Sequence, residues 1–386
     1  MKKNERIVAF GAGKFGQKFL EEVGKESILY FIDNNPKTDE INGIPVHKFS
    51  YYMEDTLQPH VVITSPNFYH EMSRQLKEHG ISNYSLFYPQ AKRYFPEDVL
   101  VVNPYETRTE ASSEEEWNEM RVNHGVRRNI SMYTDMLMEK QNIFNHIEIE
   151  TYNRCNGGCE FCPVSTINES RPEKTMDMGL FKKIIDELHE LNYSGKLALF
   201  SNNEPFLDER IIEMHKYARE RVPNARMHLF TNGTLLTLDK FKEIIPCLDE
   251  LIVDNYNQNL ELIPNARIIK EYCEEHPELI KKVTIVLRKP KEILTSRGGD
   301  APNRKEKISF GEDKCMLPFR QMIVRPDGKV SLCCNDPLGK NTLGDLQMQT
   351  LEEVWYGEKF EMVRKALGKG RKHWPHCVYC DTFIIA

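Results

Sequence analysis

Residues 150–163 read ETYNRCNGGCEFCP, and they close a short alternating stretch, HIEIET (146–151), that has the pattern of a strand. Cys155, Cys159 and Cys162 follow that strand in a C-x3-C-x2-C spacing. Three thiolates can hold a cubane iron–sulfur cluster and leave one of its irons without a protein ligand, and an open metal position is where a metal centre does chemistry rather than bracing. A structural zinc ion is the other reading. Zinc closes around four ligands, however, and the nearest histidine after Cys162 is His189.

Downstream, short apolar stretches alternate with amphipathic ones. MGLFKKIIDELHEL (178–191) and ERIIEMHKYARER (209–221) have helical periodicity; KLALFS (196–201), MHLFTN (227–232), LDELIVDN (248–255) and KVTIVLR (282–288) read as strands. This alternation predicts βα units around a parallel sheet. Ligands of such sheets gather at the carboxyl ends of the strands, which is where the three cysteines fall. The other strand ends carry SNNEP (201–205), Thr231-Asn232-Gly233 and Asp254-Asn255. Glu204 is suited to accept a hydrogen bond from an ammonium group. Asn-Gly taken alone is only a turn signal.

CNGGCEFCP resembles the signature of the radical S-adenosylmethionine (SAM) enzymes. The resemblance implies a partial (β/α) barrel, here over 145–300, with a 4Fe-4S cluster whose open iron holds the amino and carboxylate groups of SAM. One electron then cleaves SAM to a 5′-deoxyadenosyl radical. Phe161 matches the aromatic that lies near the adenine. SNNEP stands where the family has Gly-Gly-Glu-Pro: Glu204 and Pro205 match, while Asn202 and Asn203 replace the glycines that contact the methionine amino group. Thr231 and Asn232 match the family's TNG, and Asp254 stands where the SAM ribose is met.

A second cysteine set comprises Cys315, Cys333, Cys334, Cys377 and Cys380. RQMIVRPDGKVSLCC (320–334) predicts a hairpin turning at Pro326-Asp327-Gly328. Four cysteines in two pairs suit one further cluster with every iron ligated, which favours electron transfer or structure. Zinc is an alternative here, because His373 and His376 flank the last pair. The region resembles the twitch domain, the short form of the SPASM extension, and its spacing is similar to that of aminocyclitol dehydrogenases. That likeness implies an auxiliary 4Fe-4S cluster on Cys315, Cys333, Cys377 and Cys380 within a small domain over 301–386. Cys334 points to the opposite side of a regular strand. Arg297, in TSRGGD (295–300), matches an arginine that contacts substrate in those dehydrogenases; the other reading is a surface arginine in a Gly-rich loop. Cys247 and Cys273 lie on helical segments, either as small buried hydrophobes or as a thiol that returns hydrogen to a radical.

At the other end, RIVAF (6–10), GAGKFG (11–16) and ILYFID (28–33) form a strand, a Gly-rich turn and a second strand. Gly11, Gly13, Gly16 and Asp33 complete a βαβ dinucleotide fingerprint: tight turn, phosphate approach, helix N-terminus and an acid for a ribose hydroxyl. HVVITS (60–65) and the helix NFYHEMSRQLKEHG (67–80) continue the pattern. FIDNNP and the loop NGIPVH resemble the small nucleotide-binding domains fused to sugar-modifying enzymes of bacterial polysaccharide pathways, which implies a Rossmann-like domain over 1–90 with a nucleotide or nucleotide-sugar as ligand. A ligand-free docking domain is the alternative, since fold alone does not establish function. Residues 91–144 read as a linker and helical bridge, with a helix starting at SSEEEW (112–117) and running to about Gln141.

Composition narrows the setting. A chain of 386 residues with 28% charged residues and a net charge of −6 describes a globular α/β protein without the basic field a nucleic-acid partner requires. No apolar run is long enough to span a membrane. Ten cysteines behind no export signal fit metal or redox use in a reducing cytoplasm. The expected activity is oxidation of an alcohol carbon on a sugar, nucleotide-sugar or polyol, with a flavodoxin- or ferredoxin-type electron donor. The rivals are a radical epimerase, a peptide-modifying enzyme and a non-enzymatic iron–sulfur sensor or scaffold.

Overall fold

The computed structural model describes residues 6–87, 93–106, 124–305 and 307–383. Contacts divide this chain into two units, one holding residues up to 87 with 128–142, the other holding the rest.

In the first unit the strands are β1 (Ile7–Phe10), β2 (Ile28–Asp33), β3 (Glu40–Ile41), β4 (Ile44–Lys48), β5 (Val61–Ile63) and β6 (Tyr84–Leu86), ordered β3-β4-β2-β1-β5-β6. All neighbours run parallel except the β3–β4 hairpin. β1 is apolar throughout and wholly buried, as a central parallel strand covered on both faces should be. Phe19 and Leu20 of the helix Lys14–Val23 pack on Phe31 of β2. NGIPVH, expected to be a loop, instead supplies β4, which extends the sheet beside β2. Its turn carries positive φ at both Asn42 (51°) and Gly43 (75°), the Asn-Gly signature of a tight hairpin. The helix His124–Glu139 occupies the described part of the predicted helical bridge; the predicted start at 112–117 lies outside the described residues.

The second unit contains β7 (Val101–Val102), β8 (His146–Ile149), β9 (Lys196–Ala198), β10 (Arg226–Thr231), β11 (Glu250–Tyr256), β12 (Val283–Arg288), β13 (Gln321–Val324), β14 (Lys329–Ser331) and β15 (Thr342–Asp345). They form one sheet in the order β15-β14-β13-β8-β9-β10-β11-β12-β7. β13, β8 to β12 and β7 are parallel; β14 and β15 add antiparallel. The period-two alternation sorts the strand residues onto two faces. Ile147, Ile149, Leu197, Met227, Leu229, Leu251 and Val253 join a core with Phe181, Ile184, Leu188, Met214 and Phe241 from the covering helices. The opposite face carries Glu148, His228 and Gln321, which reach one another or their neighbours by polar and ring contacts.

The expected boundary at 300/301 is not a break in the sheet. β13 pairs in parallel with β8, from Gln321 opposite His146 to Val324 opposite Ile149. The hairpin bearing Cys333 therefore continues the barrel sheet, because the open edge of β8 has backbone groups that β13 satisfies. Among the described residues no helix is long and apolar enough to cross a membrane.

Candidate active site

The loop after β8 folds so that its first two cysteines face one small space. The Gly157 N–H donates to Cys155 Sγ at 3.3 Å. A Cβ on Gly157 would lie 3.4 Å from Cys155 Sγ and 3.8 Å from Cys159 Sγ, so both sulfurs border the ground this glycine leaves free. The loop is closed by Cys162 N–H donating to Cys159 O and by Thr166 N–H donating to Gly157 O. Burial pushes the Cys155 thiol up to about 11, with Glu204 and Cys162 adding to it. Burial likewise pushes Cys159 up to about 12, with Cys162 and Cys155 adding to it. Buried thiols resist ionisation until a metal's positive charge reverses the balance, so this donor set fits an iron cluster held by three thiolates.

The strand ends beside the loop are tied to it and to one another. Asn232 Nδ2 donates to Asn156 Oδ1 at 2.8 Å, and Asn156 Nδ2 donates to Thr234 Oγ1 at 2.9 Å. Gly233 has φ +76°, and a Cβ there would lie 2.7 Å from Val253, so the turn after β10 requires glycine. Glu204 is buried, and its carboxylate accepts from Thr231 Oγ1 (2.7 Å), Asn232 N–H (2.8 Å) and Phe206 N–H (3.1 Å). Both of its oxygens are engaged by this chain, so it locks the end of β10 to the turn that starts at Pro205. Burial raises its pKa despite these donors.

The two asparagines of SNNEP face different duties. Asn203 Oδ1 accepts from Ser201 N–H at 3.0 Å. Asn202 accepts a hydrogen bond from the Arg297 guanidinium on its side-chain oxygen, and its backbone oxygen accepts from Arg171 Nη2 at 3.3 Å. Arg171 was not singled out in the sequence. It sits between Glu150 (3.1 Å) and Glu169 (2.9 Å) and braces the whole loop region from STINESRP. Arg297 has φ +51°, and its loop is pinned at Ser296, whose N–H donates to Asp381 Oδ1 (2.7 Å) and whose Oγ donates to Tyr379 O (2.7 Å).

At the end of β11, Asp254 lies 3.8 Å from Arg288, which in turn lies 3.7 Å from Glu292. Burial pushes Asp254 up to about 6, against the pull of Arg288. Phe161 is buried, with its ring 5.9 Å from that of Tyr256. Of the remaining cysteines, Cys273 lies in the hydrophobic core on the helix side of the sheet, and Cys247 is buried where the Cys247 carbonyl accepts from Arg219.

The C-terminal cysteines behave differently. Cys315, Cys333, Cys377 and Cys380 all line one small cavity, together with Gly298, Asn335, Arg371 and His376. Arg371 is fully buried and donates to the carbonyls of Cys380 and Thr382 (2.7 Å). Burial works against its charge, but Cys315, Cys380 and Cys377 hold its pKa above the ordinary value. A buried cation beside four thiols offsets the charge those thiols acquire on binding iron, and the donor set fits a fully ligated cubane. Cys334 is outside the cavity lining; its N–H donates to Gln321 Oε1 at 3.2 Å on the inner face of the sheet.

In the first unit the Gly-rich turn follows β1. Gly11 has φ +112°, and a Cβ on Gly16 would lie 2.2 Å from the Gly11 carbonyl oxygen, so helix and turn meet at van der Waals limits. Gly13 faces open space. Asp33 at the end of β2 accepts from Ala12 N–H at 2.8 Å and from Asn35 N–H at 2.8 Å, so it holds the turn to β2.

An open three-cysteine loop at the end of the first barrel strand, with a closed four-cysteine cavity beyond the last, marks a class of iron–sulfur radical proteins. Residues 149–283 match the Radical SAM superfamily, and residues 315–381 match SPASM, an iron–sulfur cluster-binding domain. The chain thus carries a radical SAM domain and a SPASM domain, and with them SAM, a SAM-binding 4Fe-4S cluster and an auxiliary cluster. The zinc reading of the C-terminal cysteines falls with that match.

Among characterised relatives, the S-adenosyl-L-methionine-dependent 2-deoxy-scyllo-inosamine dehydrogenase of Niallia circulans is 26% identical over 230 residues, spanning 60% of this chain and 89% of that protein. The crystal structure of BtrN in complex with AdoMet and 2-DOIA is 24% identical with a TM-score of 0.54, covering 63% of this chain and 94% of that one. The structural likeness is one of fold.

Proposed function

We propose that this protein is a radical SAM dehydrogenase that oxidises an alcohol carbon of a cyclitol, sugar, nucleotide-sugar or polyol to a ketone. The observation that carries the reading is the Arg297–Asn202 hydrogen bond. It joins the loop stapled to the auxiliary cysteines with the strand end beside the SAM loop. A substrate held at Arg297 lies between a radical source and an electron acceptor.

In this reading Cys155, Cys159 and Cys162 hold the cluster that binds SAM, and Cys315, Cys333, Cys377 and Cys380 hold the auxiliary cluster. When bound, the first supplies the 5′-deoxyadenosyl radical and the second accepts one electron. Phe161, Asn202, Asn203, Thr231, Asn232 and Asp254 line the SAM side. Glu204 positions the Thr231-Asn232 turn through its three hydrogen bonds. A small iron–sulfur or flavin protein of the ferredoxin or flavodoxin type supplies the reducing electron, and the cytoplasm is the compartment that keeps it reduced.

The first unit is proposed to be Rossmann-like. Its five parallel strands run in the doubly wound order, and Gly11, Gly13, Gly16 and Asp33 shape a turn suited to a nucleotide or nucleotide-sugar. Titration calorimetry of the full chain with a UDP-sugar tests that part.

For the activity, the test is anaerobic turnover with dithionite, SAM and 2-deoxy-scyllo-inosamine deuterated at its carbinol carbons. Deuterium in 5′-deoxyadenosine together with a ketone product supports the reading. A preparation with about eight irons per chain that makes no 5′-deoxyadenosine overturns it.

A second reading is favoured by the location of Cys334. Electrostatic coupling joins this thiol to Glu148 and Arg297, on the face where substrate would lie. A thiol there is placed to return hydrogen to a substrate radical, which is epimerisation. Cys334→Ala separates the two: a ketone forms at the same rate from a dehydrogenase, whereas an epimerase loses its product.

A further inference from the structure

Glu148 lies on the inner face of the barrel, and among the described residues no lysine or arginine makes an ion pair with it. It is 7% exposed and lies on β8, seven residues before Cys155. Its carboxylate accepts from Ser201 Oγ at 2.6 Å and from Gln321 Nε2 at 2.8 Å. Ser201 Oγ in turn accepts from Asn202 Nδ2 at 3.2 Å, and Asn202 Oδ1 accepts from Arg297. A continuous hydrogen-bonded path therefore runs from the guanidinium to the carboxylate through Ser201 and Asn202. This path gives a physical reason for an asparagine at position 202, since a glycine has no side chain to continue it.

Glu150, two residues on, provides a contrast. Burial raises it to about 7, with Arg171 pulling the other way, but its carboxylate meets Arg171 directly at 3.1 Å, so it is a structural ion pair. Among the described residues Glu148 has no such arginine or lysine partner. The groups that face it are His146 on its own strand (3.6 Å), Arg297 and Cys334 on the C-terminal loops, and Tyr94 from the segment before β7. On the neighbouring strand Lys196 stands opposite His146 in register. Burial holds His146 down to about 3, with Lys196 adding to it, so the imidazole is neutral. Burial raises Glu148 to about 7, with Ser201 and Arg297 pulling the other way. A buried acid poised near neutrality with no ion pair is suited to proton transfer.

We propose that Glu148 is the base that takes the hydroxyl proton of the substrate radical, and that Asn202 aims Arg297 at the same oxygen. The inference rests on the dehydrogenase reading. After hydrogen abstraction the carbon bears an unpaired electron and a hydroxyl group. The substrate O–H bond breaks and a carboxyl O–H bond forms on Glu148, leaving a ketyl. The ketyl passes one electron to the auxiliary iron–sulfur cluster, the C=O bond forms, and the proton leaves Glu148 before the next turnover. Protons, electrons and charge balance, with one ketone formed and one cluster reduced.

Two measurements test it. Infrared titration of the resting protein should show a carboxyl band that ionises near pH 7, disappears in Glu148→Gln and persists in Glu150→Gln; no such band overturns the proposal whether or not the test substrate turns over. In turnover with deuterated 2-deoxy-scyllo-inosamine, the ratio of ketone to 5′-deoxyadenosine should fall about 100-fold in Glu148→Gln. The wild-type rate should rise about tenfold per pH unit below 7 and level above it, a slope the variant loses, because only the ionised carboxylate accepts the proton. Asn202→Gly, which frees Arg297 and leaves the base, should raise KM for the inosamine about tenfold. A wild type that transfers no deuterium counts against the dehydrogenase reading. A wild type that turns over, with a Glu148→Gln variant matching its ratio and pH profile, overturns the assignment of the base.

Discussion

The two cysteine sites of the second unit are built on opposite plans. In the loop after β8, Cys155 and Cys162 stay partly exposed and only Cys159 is buried. Polar side chains such as Asn156 and Asn232 crowd the open side. In the C-terminal cavity all four lining cysteines are buried, and a buried arginine beside them donates to the carbonyls of Cys380 and Thr382. The difference teaches what each site is for. A site that must admit SAM to iron keeps a polar, ligandable side. A site that only passes an electron excludes water, so that its ligation is complete and its neighbours need not rearrange.

The largest effects should come from cutting one site and leaving the other. Cys155→Ser is expected to reduce iron from about eight to about four atoms per chain and to abolish 5′-deoxyadenosine formation. Cys377→Ser should cause the same iron loss but keep SAM cleavage, while ketone formation falls by about two orders of magnitude. Iron assay with product quantification on both variants reads this directly. Equal loss of 5′-deoxyadenosine in the two would erase the division of labour.

Much of this plan was legible in the chain, and the reason is chemical. Cysteine spacing is a local property, so both sets could be located before any fold was known. The strands of the barrel and of β1, β2 and β5 announced themselves by continuous or alternating apolar residues. Three things were not legible. The pairing of β13 with β8 joins residues 175 positions apart and depends on which sheet edge is left free. The β3–β4 hairpin carried a readable Asn42-Gly43 signal, yet its flanking strand, interrupted by Pro45 and ending in His47 and Lys48, is too polar to stand out. The roles of Asn156, Arg171 and Glu148 depend on partners brought in by tertiary structure. Glu204 was readable as important from its place at a strand end, and its hydrogen bonds from Thr231 and Asn232 likewise depend on the fold.

Gly298 offers a sharper cut at the joint between the sites. It has φ +67°, and a Cβ would lie 2.4 Å from His376 Nε2 and 2.8 Å from the Asn335 carbonyl oxygen. The backbone oxygen cannot yield as a flexible side chain can. Gly298→Ala should therefore cost about 3 kcal/mol of stability and displace the loop that holds Arg297. Thermal unfolding of the anaerobic holoprotein measures the first. A KM for the inosamine that rises while the KM for SAM is constant measures the second. An unchanged melting temperature would mean that the cavity wall is softer than the closed plan requires.

The smallest effect belongs to the open site. Asn156 is exposed, and its side chain does no more than clip the cysteine loop to Asn232 and Thr234. Asn156→Ala removes both hydrogen bonds while leaving the three thiols and the Glu204 lock in place. Each such bond to an exposed side chain contributes about 0.5 kcal/mol net, so the KM for SAM should rise about fivefold with iron content unchanged. A variant that loses iron instead would show that the clip holds the cluster loop itself. A rise confined to SAM would show that the polar side of the open site is shaped for its cofactor, a demand the closed cavity does not face.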